Sequence, residues 1–160
     1  MPLTVRTATP ADVPAIVEYN RRLARETEAK ELDPATLAAG VAAAIADPGR
    51  KGPYYLACAS DDVVGQMQIT YEWSDWRNGW FWWVQSVYVR ADFRRSGVFR
   101  ALFAEVRRQA EADPTVIGLR LYVERENTPA QQTYLSLGMS DASYVLFDLY
   151  PLPGRESHFK

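Results

Sequence analysis

Histidine and cysteine are nearly absent from this chain of 160 residues, which holds one of each, His158 and Cys58. A lone cysteine has no internal disulfide partner, so nothing here depends on an oxidising compartment. Cys58 lies in Tyr54-Tyr55-Leu56-Ala57-Cys58-Ala59, a strand-like run with no histidine near it, and reads as a small buried apolar side chain rather than a nucleophile. A single histidine near the C-terminal end makes a histidine-based metal site improbable and is a poor acid–base candidate, so no metal is expected. No apolar run approaches the roughly 20 residues that span a bilayer. Met1 to Arg6 has no apolar leader core, and the expectation is a cytoplasmic protein without a membrane segment. A basic excess is missing too. With 18 Lys and Arg against 20 Asp and Glu, the net charge is −2, which gives no support to nucleic-acid binding. Internal repeats, heptads and low-complexity segments are also lacking.

What is present is ordinary globular composition, 48% apolar and 24% charged, at a length that buries a core without staples. The expectation is a single domain over 1–150 and a C-terminal tail over 151–160. Leu3 to Arg6 reads as a strand. Thr9-Pro10-Ala11-Asp12 opens a helix over about 11–26, in which Val13, Ile16, Val17, Asn20 and Leu23 share one face. Asp33-Pro34 caps a second, alanine-rich helix that ends at Asp47-Pro48-Gly49. Residues 54–60 and 63–71 form a hairpin, with Gly65 marking a bulge.

Glu72 to Trp80 reads as a loop dense in tryptophan and charge, either a packing device or the lining of a pocket. Strand 82–89 follows, and from Val98 the period changes. Val98, Phe99, Leu102, Phe103, Val106 and Ala110 recur at helical steps. Strand 116–123, a helix opened at Asn127-Thr128-Pro129 and closed at Gly138, and a last strand 144–149 complete the order. This alternation predicts an α/β fold, a mixed sheet covered by helices.

The turn between strand 82–89 and its helix is the most informative stretch. Arg94, Arg95, Ser96 and Gly97 stand directly before a helix N-terminus, whose first N–H groups lack internal partners and whose dipole favours an anion. Arginines pair with phosphate, and a glycine lets an anion approach the main chain. A solvated basic loop is the other reading of the same residues.

Together, Val87-Tyr88-Val89 with Arg94-Arg95-Ser96-Gly97-Val98-Phe99, and Asn127, Ala130, Tyr134 and Gly138-Met139 further on, resemble the GNAT superfamily of N-acetyltransferases. The opening Val5 to Asp12 is similar to the family's first strand and helix start. The resemblance spans most of the chain and implies the acyl-CoA N-acyltransferase fold, with a mostly antiparallel sheet flanked by helices. It implies acetyl-CoA as co-substrate, with the main chain of Val87 and Val89 pairing to the pantetheine arm and the main chain of 94–99 holding the pyrophosphate. Tyr88 and Asn127 belong to the same implied cofactor-binding set. The family pattern has Gly or Ala where this chain has Phe99, and an aromatic where it has Met139.

The activity implied is acetyl transfer to a primary amine of a small molecule or peptide. An alkylamine, of pKa about 10.4, must lose a proton before it attacks a thioester. Gln85 stands where some family members carry an acid, and an amide takes no proton, so Glu72 and Asp75 become the candidate bases, with Glu124 as alternative. Each is equally a solvated carboxylate. Tyr134 is the candidate acid for the departing thiolate, and the N–H of Val87 for the oxyanion. Trp73 and Trp76, with Glu72 and Asp75, and Gln85 and Glu124 nearby, form the candidate acceptor site for a cationic group. A non-catalytic acyl-CoA-binding or sensing module is the competing reading. The aromatic surface permits a homodimer without requiring one.

Overall fold

A computed structural model describes residues 2–158. It divides into two compact units, one running to Arg120 and the other covering Leu121–Ser157.

The first unit starts with β1 (Leu3–Thr7), a single 3-10 turn (Pro10–Asp12), α1 (Val13–Glu28), α2 (Pro34–Ala46) and the short α3 (Pro48–Lys51). Then come β2 (Tyr54–Ala59), β3 (Asp62–Ser74), β4 (Gly79–Val89) and α4 (Val98–Ala112), and β5 (Val116–Leu121) runs up to the unit boundary. The helix starts follow the predicted chemistry. Asp33 accepts from the Thr36 amide at 2.8 Å with Pro34 at the first helical position. Asp12 accepts from the Thr9 amide at 2.7 Å and takes both ends of the Arg6 guanidinium at 2.8 Å, which ties β1 to the entry of α1.

The five strands lie in sequence order in one sheet. β1 through β4 pair antiparallel. β5 runs parallel to β4, since the Trp80 amide meets the Thr115 carbonyl at 2.8 Å and, further along both strands, the Arg120 guanidinium lies 3.6 Å over the Phe81 ring. The sheet is therefore mixed. The expected bulge near Gly65 is present, because β3 gains a residue opposite the step from Ala57 to Cys58.

Strand alternation sends neighbouring β3 side chains to opposite faces. At Gly65 an added Cβ would fall 2.6 Å from Val98, so α4 packs directly on that side. Gln66 reaches Asn20 of α1 on the other side. Ile16, Val41, Ala44, Tyr54 and Leu56 form the core under α1 and α2, while Leu102, Phe103 and Val106 are buried on the α4 side. Cys58 is buried and free, as its strand context predicts.

Two expectations need correction. Glu72 to Trp80 is not a loop. β3 continues to Ser74, β4 starts at Gly79, and only a four-residue turn separates them. Cross-strand aromatic stacking extends the ladder: Tyr71 meets Trp80 and Trp82, and Trp73 meets Trp80 edge-on, with centroids 5.0–6.4 Å apart. The strand expected at 144–149 is also not formed, and Phe147 is 90% exposed. A strand needs a neighbour for its backbone groups. Apart from the last residue of β5, the second unit contributes one regular element, α5 (Thr128–Ser136).

The Arg6 guanidinium, helped by the Thr9 amide, holds the buried Asp12 carboxyl well below the usual carboxylate range. A depressed folded pKa means that this stabilisation is present above the unfolded value of about 3.9 and is lost as pH falls toward the folded one. Asp12→Asn should therefore unfold at lower urea than the parent at pH 7, with the gap closing progressively below about pH 4. An equal gap in urea midpoints at pH 7 and pH 2.5 would contradict this.

Candidate active site

The site is built around an interruption in β4. Opposite β3 the register runs Gln68 to Gln85 and then Gln66 to Tyr88, so Ser86 and Val87 together face the single residue Met67. Ser86 sits at a left-handed φ of 51°, unusual for a residue with a side chain. Gln66, fully buried, holds it: Nε2 donates to the Ser86 carbonyl at 3.0 Å and to Asn20 Oδ1 at 2.8 Å. Beyond the bulge the Arg90 amide bonds the Val64 carbonyl at 2.9 Å, which makes Gly65 and Val89 the open pair of the ladder. The Val89 N–H therefore points away from β3, toward the side on which β5 lies. Val87 lies in the bulge with no ladder partner opposite it.

The turn after β4 is curled by two left-handed residues, Arg95 at φ 63° and Gly97 at φ 87°. A non-glycine residue in that region costs on the order of 1 kcal/mol. Gly97 is the N-cap of α4, and the first intrahelical bond is Ala101 N–H to Gly97 O at 2.9 Å, so the main chain ahead of it forms an anion-favouring helix start. The Arg94 side chain is committed elsewhere. It donates to Glu26 Oε2 at 2.5 Å and to the Val89 carbonyl at 3.1 Å, and Tyr88 donates to Glu26 Oε1 at 3.1 Å. Arg94 and, first among its causes, its hydrogen bond hold the Glu26 carboxyl below its usual value. Ser96 Oγ donates to the Phe93 carbonyl, and Phe99 stacks on Phe103 with centroids 5.9 Å apart.

A cavity of about 460 Å³ opens between α1 and α2 over the bulge, lined by Asn20, Tyr54, Gln68 and Ser86 among others. That volume is in the range of small-molecule sites. Sequence reasoning missed Asn20, Tyr54, Gln66 and Ser86 as site residues. The signal was there in part, since Asn20 interrupts the apolar stripe of α1, whereas Gln66 falls in the polar alternation Gln66, Gln68, Thr70 and Glu72 of β3 and does not stand out.

The nominated acceptor residues do not converge. Gln85 pairs with Gln68, so it shares the cavity face, and it donates to Thr70 Oγ1 at 3.5 Å. Glu72 is on that face too, but pairs with Phe81, five residues from Ser86 along β4. Five residues of strand are roughly 17 Å. Its Oε1 already accepts from Arg120 at 2.8 Å and from Trp83 Nε1 at 3.2 Å. Trp73 points to the opposite face of the sheet, with Tyr71 and Trp80. Asp75 and Trp76 are in the hairpin turn, where Asp75 Oδ1 accepts from the Trp76 amide at 2.9 Å.

In the second unit, Asn127 caps α5 by accepting from the Ala130 amide at 3.2 Å. Tyr134 lies on that helix, half-buried, and burial pushes its phenol above the ordinary value. Gly138 takes the left-handed φ of 89° expected of a helix C-cap. Glu124 is exposed, and its carbonyl accepts from Gln131 at 3.0 Å. Among the described residues no three His, Cys, Asp or Glu side chains group as metal ligands, and no helix is long and apolar enough to cross a membrane.

A mixed five-stranded sheet with helices on both faces, and a bulged fourth strand leading into a long helix, is the architecture of the acyl-CoA N-acyltransferases. The chain belongs to the acetyltransferase (GNAT) family, whose model matches residues 14–139. It is similar, at 44% identity and a TM-score of 0.86 over 94% of this chain and 98% of the other, to a structure described as "a possible acetyltransferase from Clostridium difficile 630". The fold is shared with a ribosomal-protein-alanine N-acetyltransferase from Brucella melitensis biovar Abortus 2308, at 15% identity and TM-score 0.72 over 92% and 99% of the two chains. It is also shared with a structure described as a "predicted acetyltransferase with acetyl-CoA" from Clostridium acetobutylicum, at 14% identity and TM-score 0.73 over 92% and 96%. Among curated proteins there is no significant match. The chain is an acyltransferase of a family that uses acetyl-CoA.

At Gly97 an added Cβ would meet nothing within 4 Å, so only the backbone conformation asks for glycine there. Gly97→Ala should lower stability in urea by about 1 kcal/mol. An unchanged midpoint would show that the turn does not hold this conformation in solution.

Proposed function

We propose that the protein transfers the acetyl group of acetyl-CoA to a primary amine of a small molecule or peptide by direct attack, acting as one catalytic domain over 1–150. The observation that carries this reading is the bulge at Ser86 and Val87, followed by the left-handed turn into α4. In it, the main chain of Val87 and Val89 receives the pantetheine arm as an added strand. The turn from Arg94 to Phe99 receives the pyrophosphate through its amides, with Arg95 and Ser96 beside them and Arg94 bracing the turn from behind. Tyr88 anchors this strand against Glu26, and Asn127 supports the cofactor site by capping α5. These assignments rest on the motif match and are supported by the local geometry.

The acceptor amine enters the cavity over the bulge. Its nitrogen attacks the thioester carbonyl, and the oxyanion that forms is stabilised by the Val87 N–H. The C–S bond then breaks and the sulfur leaves with a proton from Tyr134, while the amine proton passes to water. Glu72, on the cavity face but roughly 17 Å of strand from the bulge, is too far to take that proton through one water, and Asp75 and Glu124 are the other candidate bases. Gln85 contributes a hydrogen-bonding amide on the same face, and Trp73 and Trp76 stay at the far end of the hairpin. Burial pushes the Tyr134 phenol above its ordinary value, which favours the protonated, donating form.

Two measurements test this. Acetyl-CoA should bind in calorimetry, and thiol release should depend on an added amine; binding without release from any amine would favour the sensing module instead. Tyr134→Phe should lower kcat by about 10²-fold, the size of a general-acid contribution, with acetyl-CoA affinity unchanged. Unchanged turnover in that variant would remove Tyr134 from the mechanism.

A further inference from the structure

The walls of the cavity between α1 and α2 carry almost no charge. Leu23, Leu37 and Val41 supply apolar surface, and among the described lining residues there is no Lys, Arg or His. The only charged side chain is Glu28, an exposed carboxylate already paired with Lys30 at 2.8 Å. The floor is made of neutral hydrogen-bonding groups. Asn20 and Tyr54 are 7% and 5% exposed, and Asn20 Nδ2 donates to the Tyr54 hydroxyl at 3.4 Å. Behind them, Gln66 donates to Asn20 and to the Ser86 carbonyl while its own Oε1 is buried without a hydrogen-bond partner. The layer behind the floor is therefore one donor short, at Gln66 Oε1.

We propose that this cavity selects an acceptor amine whose body is uncharged and largely apolar, with a carboxamide or hydroxyl as its polar handle. This rests on the reading of the chain as an N-acetyltransferase whose acceptor enters here. A carboxamide or hydroxyl both donates and accepts, as do the amides and hydroxyls of the floor. A carboxylate only accepts and an ammonium group only donates. A second charge on the acceptor body would lose its water, a cost that grows with burial; an anion would find no opposite charge to replace it, and a cation only the exposed Glu28, already paired with Lys30. The preference thus excludes polyamines and acidic amino acids as the best acceptors, and departs from the cationic acceptor suggested by the tryptophan-rich hairpin.

Gly40 offers a clean control. It lies on α2 and lines the cavity, and a Cβ added there meets nothing within 4 Å, so Gly40→Leu fills the space while improving helix propensity. Norleucinamide, lysinamide and the α-amide of glutamic acid share one head group and differ in a neutral, cationic or anionic side chain. Their binding to the CoA-saturated full chain would be measured by calorimetry, beside thiol release from acetyl-CoA with each.

Norleucinamide is expected to bind about tenfold or more tighter than either charged probe, and Gly40→Leu is expected to abolish that binding while acetyl-CoA affinity holds. Equal or tighter binding of a charged probe, no binding of norleucinamide, or binding that survives Gly40→Leu would overturn the proposal. Norleucinamide bound without thiol release would leave the specificity standing and sink the transfer reading. Release on another amine that ignores Gly40→Leu would do the reverse.

Discussion

The hydrogen bond from Gln66 Nε2 to the Ser86 carbonyl, 3.0 Å long and buried, fixes the point at which β4 changes register against β3. Side chains alternate along a strand, so one extra residue reverses which face every later residue takes. The extra residue at Ser86 and Val87 puts Tyr88 on the α1 face, where its ring meets Tyr19 at 5.0 Å between centroids and its hydroxyl meets Glu26. Without it Tyr88 would point toward α4, and α1 would lose that anchor. The left-handed backbone at Ser86 costs on the order of 1 kcal/mol or more, which the Gln66 bond helps to offset.

From this one feature the donor and acceptor sides of the site are linked. Gln66 touches Ser86 on the strand proposed to present its main chain to the cofactor, and Asn20 on the helix that walls the cavity. Glu26, further along the same helix, receives both Tyr88 and Arg94, so α1 also braces the turn into α4. Arg94 is thus spent on the scaffold, and the charge it brings near the turn is already paired with that of Glu26. In the proposed function what remains for the pyrophosphate is the main chain of the turn, shaped by the left-handed Gly97, with Arg95 beside it.

The fold was largely readable from the amino acids. Periodicity placed α1 and α4, the Asp33-Pro34 cap and its alanine-rich run placed α2, the four-residue α3 reads as the end of α2, and Gly138 was visible as a helix stop. Glu72 to Trp80 was misread because loop composition and a strand end rich in aromatics look alike until the partner strand is known, and cross-strand stacking is a tertiary effect. Residues 144–149 were misread for the converse reason: their apolar alternation is strand-like, but a strand exists only with a neighbour. The family motifs pointed to Gly97, Val87 and Tyr134 directly. Asn20 and Gln66 were harder, because a polar residue in a helix stripe or in a strand's polar alternation acquires its meaning only when the bulge shows what it bonds.

The central claim is that the main chain at the bulge receives the acyl donor, and backbone amide hydrogen exchange tests it most directly. Exchange at Val87 and Val89 should slow on addition of acetyl-CoA, because those amides gain a partner on the side away from β3. Tyr88, already within the ladder, should change little. Slowed exchange confined to other elements, with Val87 and Val89 unaffected by saturating acetyl-CoA, would contradict the account.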